Sequence, residues 1–141
     1  MKIIIISNDK INKIDNDVSF YDMLTQEGLD DADKIPELFK NKEKPEVIFS
    51  SPYISSLQTI YPYCIKNNLM VNIDYALYPS VHSEEIYNLN IIERYYSYLG
   101  EIINYNYKSS ILNNNIKEDE TIFNINNRLK PFLYNISRNF K

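Results

Sequence analysis

Tryptophan is absent from the 141 residues, glycine occurs twice, and cysteine and histidine occur once each. The lone Cys64 excludes an internal disulfide and fits a reducing, intracellular setting. The scarcity of glycine goes with an abundance of isoleucine, asparagine, lysine and tyrosine. Those residues have AT-rich codons, so the bias fits the genome of a giant virus or an AT-rich protist and says nothing about mechanism. No apolar run approaches the roughly 20 residues of a membrane span, which argues against a membrane partner. The Lys2–Ile6 opening is too short for a signal-peptide core, and no small-residue cleavage site follows it. The expected location is therefore the cytoplasm, that of the host if the protein is viral. A net charge of -4 and a pI near 5.0 argue against nucleic acid as the partner.

What remains is the composition of a globular chain, 44% hydrophobic and 24% charged. Its length suits one domain spanning residues 1–141, with a real core. The asparagine cluster 113–115 has apolar residues on both sides and reads as a surface loop. There is no internal repeat and no linker.

The β-branched run Ile3–Ile6 predicts a strand buried on both faces. Thr25 predicts a helix N-cap, with Gln26 and Glu27 in the first turn and Leu29, Ala32 and Ile35 on one face. Pro36 should end or kink that helix. Val47–Ser50 and Met70–Ile73 read as short strands. Between them a helix should take Ser51 as N-cap and Pro52 as its first residue. Its stripe is Ile54, Leu57, Tyr61, Cys64 and Ile65, with a kink expected at Pro62. Strand–helix–strand units with short connections imply parallel strands, hence an α/β domain. Further on, Glu84–Leu99 reads as helical and Ile103–Tyr107 alternates like a strand. Thr121–Phe140 is helical again, with Ile122, Ile125, Leu129, Phe132 and Ile136 on one face and Pro131 an interruption.

One stretch poses a question of function. VIFSSPYISSLQTIYPYCI, Val47 to Ile65, aims a helix N-terminus as an anion site does, yet holds no Arg, Lys or His. Four segments stand in order: KIIIISND (Lys2–Asp9), LTQEGLDDA (Leu24–Ala32), VIFSSPYISSLQTI (Val47–Ile60) and ETIFNINNRLKPFL (Glu120–Leu133). Together they resemble the histidine phosphatase (phosphoglycerate mutase-like) superfamily. That family opens on a strand running into Arg-His-Gly, then a Leu-Thr-x-x-Gly-x-x-Gln-Ala helix. A strand ending Ser-Ser-Pro-x-x-Arg-x-x-Gln-Thr-Ala follows, and later a Glu-Thr…Arg helix. Leu24, Thr25, Gly28 and Ala32 match the second motif. Ser50, Ser51, Pro52, Gln58 and Thr59 match the third, and Glu120, Thr121 and Arg128 the fourth.

The resemblance implies a three-layer α/β/α sandwich around a mostly parallel sheet. It also implies phosphoryl transfer through a nucleophilic His, with two Arg residues and a second His as clamps. Here the Arg-His-Gly position reads Ser7-Asn8-Asp9, and Asn8 cannot form a phosphohistidine. Ser55 stands for the second Arg, and Asp9 adds a charge repulsive to phosphate. Pro79 falls where the family places its acid. The strand bearing the second His is not found after the last helix, so the sheet is expected to lack its last core strand.

No catalytic set is therefore expected intact. Ser7, Asn8, Asp9, Ser55 and Pro79 are degenerate pocket positions, and Thr25, Gln58, His82 and Glu84 could retain contacts. Thr25 and Gly28 also read simply as helix-start residues, Gln58 and Thr59 as packing and capping residues, and His82 as a solvated loop residue. Neither a metal nor a cofactor is expected. The expected role is binding or assembly by an inactive, pseudophosphatase-like domain, with an unknown protein partner or as a homodimer through the Lys2–Ile6 edge. The alternatives are a divergent phosphomonoesterase or mutase, and a fragment of one.

Overall fold

Two small sheets of opposite character organise the chain, as seen in a computed structural model that describes residues 2–8, 10–12, 21–78, 96–111 and 121–140. The first is antiparallel: Ile11–Asn12 (β1) pairs with Met23–Leu24 (β2), Ile11 opposite Leu24. Thr25 then caps helix α1 (Gln26–Ala32), its hydroxyl accepting the Gly28 amide at 3.1 Å. Ala32 and Ile35 are buried and Leu29 half-buried, as their shared face predicts. The helix ends at Ala32, and Pro36 sits in the first turn of a separate short helix, α2 (Ile35–Leu38), where its missing N–H costs nothing.

The second sheet is parallel. Ile48–Ser50 (β3) pairs with Val71–Ile73 (β4), in register from Ile48 opposite Val71 to Ser50 opposite Ile73. Helix α3 (Ile54–Asn67) makes the crossover and stops at Asn68, which adopts the left-handed conformation at φ 53°. Its amide and that of Leu69 reach back to the Ile65 and Cys64 carbonyls. Ile54, Leu57 and Cys64 are fully buried, as the stripe predicts. Tyr63, which it omits, is buried too, and Ile65 is exposed. α3 runs through Pro62.

A 3-10 turn (Tyr75–Leu77) follows β4, then helix α4 (Ser97–Gly100) and the long helix α5 (Ile122–Asn139), capped by Thr121. α5 packs on the 3-10 turn, burying Phe132 and Arg128, while Ile122 points to solvent. The core joins Phe39, Ile48, Ile54, Leu57, Tyr63, Val71, Leu99 and Ile103 around α3 and the parallel pair. The fold is mixed α/β, with small parallel and antiparallel sheets.

Three expectations are corrected. Residues 2–6 form no strand: Ile5 is 89% exposed, and the segment makes no backbone hydrogen bond to the described residues. β-branched residues favour a pleated surface only where a neighbouring strand supplies one. Ser51 is not the cap of α3. The cap is Tyr53, and Ser51 Oγ donates instead to Ser56 Oγ at 2.8 Å, so Pro52 precedes the helix. Of the Ile103–Tyr107 strand only Ile103 pairs among the described residues, and it bridges Val71 in parallel. Asn104 ends it: its side-chain oxygen takes the Asn106 amide at 3.1 Å and turns the chain. Most of the predicted Glu84–Leu99 helix lies outside the described residues.

Candidate functional site

The motif residues of the two halves meet between β2, α1 and α3. Leu24 N–H donates to Gln58 Oε1 at 2.8 Å, a bond from the end of β2 to the middle of α3. Gln58 is 3% exposed, and its Nε2 donates to the Tyr98 hydroxyl at 3.0 Å. On the other side of β2, the Thr25 amide donates to the Lys10 carbonyl at 2.9 Å. That carbonyl lies over Gly28, where a Cβ would come within 2.7 Å of it. Gly28 is thus glycine because a backbone passes across the helix start.

Lys10 reinforces the contact, its ammonium donating to Glu27 at 2.8 Å and Asp31 at 2.5 Å. The hydrogen bond from Lys10, then that from Lys34, holds the Asp31 carboxyl down at about 2. Lys10 is correspondingly raised, chiefly by Asp31 and then by Glu27. These exposed groups fasten the segment before β1 to α1.

Beyond the carboxyl ends of β3 and β4, where open α/β sheets bind their ligands, the groups are mostly neutral. Ser50 Oγ donates to the Ser51 carbonyl at 2.8 Å. Ser55 is 2% exposed in the first turn of α3 and its carbonyl accepts the Thr59 hydroxyl at 2.8 Å. An arginine there would have no room without displacing neighbours.

The charge in this region is Asp74, which is fully buried. Its amide donates to the Ser50 carbonyl at 3.0 Å, tying the two strand ends together. Oδ1 accepts from the Ala76 amide at 2.9 Å, Ser110 Oγ at 2.8 Å and Ser109 Oγ at 3.1 Å. Oδ2 accepts from the Tyr107 hydroxyl at 2.5 Å and the Ser110 amide at 2.9 Å. Burial, then the bond to Asp74, pushes the Tyr107 phenol well above its usual range. With this many donors around it the Asp74 side chain is a structural acceptor. The buried Arg128 is likewise engaged: its guanidinium donates to the Ala76 carbonyl and, at 2.6 Å, to that of Tyr78.

Of the positions singled out in the sequence, Thr25, Ser55 and Gln58 lie in this framework. Ser7 is exposed, and Asn8 is partly buried with an Nδ2 that finds no hydrogen-bond partner among the described residues. Asp9, Pro79, His82 and Glu84 lie outside the described residues. Sequence reasoning missed Asp74 and Tyr98. For Asp74 the signal was an acidic residue closing a strand before a turn, the usual place for a side-chain cap. Among the described residues no imidazole lies at the strand ends, and no three metal-ligating side chains gather. Nor is any helix of the described residues long and apolar enough to cross a membrane. Neither protein-family models nor curated proteins give a match to this chain.

Proposed function

We propose that the chain is a histidine-phosphatase-like domain, a three-layer α/β/α sandwich in type, that has lost its catalytic groups and acts by binding or assembly. The observation that carries this reading is the Leu24–Gln58 bond. It joins the LTQEG and SSPYISSLQT segments in space, while Ser55, at the clamp position, is small, neutral and buried. Motif residues survive where they hold helices together, and the charges a phosphoryl group needs are missing from Ser7, Asn8 and Ser55. Loss of a covalent nucleophile alone costs several orders of magnitude in rate.

Assembly has its own support in the exposed isoleucines 3–6. A β-branched run that pairs with none of the described residues is a template for a strand of a second copy. Sedimentation across a concentration series should show a dimer weakened by Ile5→Lys. A monomer at every concentration would remove this part of the reading.

For the chemistry, hydrolysis of a generic phosphomonoester by the purified protein should stay at background. Turnover well above background that vanishes in Asn8→Ala or His82→Ala would overturn it.

A further inference from the structure

Between α1 and α3, bordered by Tyr98 of α4, lies a cleft of about 250 Å3. Leu29, Asp33, Gln58, Tyr61, Pro62 and Tyr98 are among the residues lining it. The volume falls below the roughly 300–1,000 Å3 of pockets for drug-sized ligands, and suits one headgroup or side chain. Two of its walls are aromatic. The Tyr61 and Tyr98 rings stand at 88° with centroids 5.2 Å apart, edge to face. Tyr98 is held in place by Gln58, itself anchored on the Leu24 amide. The Tyr61 hydroxyl makes no hydrogen bond among the described residues.

Among the described residues the electrostatics of the cleft have one sign. Asp33 lines the cleft and forms no ion pair among the described residues. Glu101 lies close enough to Tyr61 to help raise its phenol, after burial itself. Two described cations on the α1 side are engaged elsewhere: Lys34 bonds Asp31 at 2.8 Å, and Lys10 bonds Glu27 and Asp31. None of the described lining residues is basic, and the whole chain carries a net charge of -4. Such a site repels anions. Aromatic faces beside an unpaired carboxylate are instead the surroundings that favour an organic cation.

We propose that this cleft binds an organic ammonium group, either a quaternary headgroup or a methylated lysine side chain. The tyrosine rings supply cation–π attraction, Pro62 and Leu29 cover the methyl groups, and Asp33 supplies the counter-charge. The proposal stands on the cleft alone and needs no likeness to phosphatases, so a phosphatase assay and the test below can fail independently.

The test is an amide NMR titration of the full chain at matched ionic strength. The probes are tetramethylammonium, choline, a trimethyllysine-bearing peptide, and dimethylbutanol as the uncharged carbon isostere of choline. The cations should shift the amides of residues 29, 33, 58, 61 and 98, with dissociation constants on the order of 1 mM. Dimethylbutanol should bind at least about fivefold more weakly. Asp33→Asn should weaken the cations by about threefold and Tyr61→Ala by about tenfold, whereas Tyr61→Phe, which keeps the ring and the packing, should bind like the parent. A peptide that binds much more tightly than choline assigns the site to a macromolecular partner, and equal affinities assign it to a free headgroup. Equal binding of the isostere, shifts confined to other regions, no shifts at all, or undiminished affinity in both Asp33→Asn and Tyr61→Ala would each overturn the proposal.

Discussion

Gln58 takes the Leu24 amide on its side-chain oxygen across 34 residues of sequence, and gives its nitrogen to Tyr98 across another 40. One buried amide thereby joins the end of β2 to α3 and α4. Replacement by leucine keeps the volume and leaves a buried N–H and a phenol without their partner. Gln58→Leu should cost about 1–3 kcal/mol in urea unfolding. Gln58→Glu keeps the acceptor for Leu24 but buries a carboxyl, so its cost should grow as pH rises and that carboxyl ionises. Equal stability of parent and Gln58→Leu would show that the bond contributes nothing net.

Gly28 offers a test with opposed expectations. Alanine is the better helix former by about 1 kcal/mol. Yet its Cβ would sit 2.7 Å from the Lys10 carbonyl, a backbone atom with little freedom to move. Gly28→Ala should therefore destabilise by about 1–3 kcal/mol and speed hydrogen exchange at the Thr25 amide. A more stable variant would mean that residues 10–12 lift off α1 at no cost.

The Lys10–Asp31 pair predicts an acid limb. Asp31 falls from the ordinary 3.8 to about 2 in the folded chain. A lowered carboxyl stabilises the fold above its unfolded value, and that contribution is lost as pH drops from near 4 toward 2. Lys10 is shifted the other way, so its share disappears only as pH rises beyond its ordinary 10.5. Asp31→Asn should match the parent below pH ~2 and be the less stable protein at neutrality, by a margin that shrinks in 1 M salt. A gap that persists at the lowest pH would assign the effect to packing.

Cys64 should be chemically silent. Its side chain is wholly buried, and burial pushes the thiol up to about 12. A thiol-specific reagent at pH 8 should leave the native protein unmodified and label it fully in denaturant. Labelling rates at intermediate urea should then follow unfolding. Rapid modification of the native chain would contradict the packing of α3.

Local signals were legible where they needed no distant partner. Thr25 caps its helix, and the short apolar runs around Phe49 and Asn72 form the parallel pair. Residues 2–6 misled because a strand is a relation between two segments, and composition describes only one. Ser51 misled because its hydroxyl found Ser56, a closer competitor than the backbone of the first turn. The Tyr61–Tyr98 cleft could not be read at all, since its rings are far apart in sequence and meet edge to face only in the folded chain. The same long-range character hid the function of Arg128, whose carbonyl acceptors lie 50 and 52 residues away.

The Asp74 cluster bears on the order of events in folding. Its tyrosine and serine donors come from residues 33 to 36 positions further along the chain, so no local segment can assemble it. The helix-crossover unit of β3, α3 and β4 closes shorter loops and should form first, leaving residues 107–110 to dock late. Substitution at Asp74 should then leave refolding rates nearly unchanged and accelerate unfolding, since late contacts are absent from the transition state. Stopped-flow measurements on Asp74→Asn and Ser110→Ala would read this directly as a steeper loss on the unfolding limb, and a slowed folding limb would place the carboxylate in the nucleus instead. On this ordering the carboxylate sets how long the folded protein survives rather than how quickly it forms.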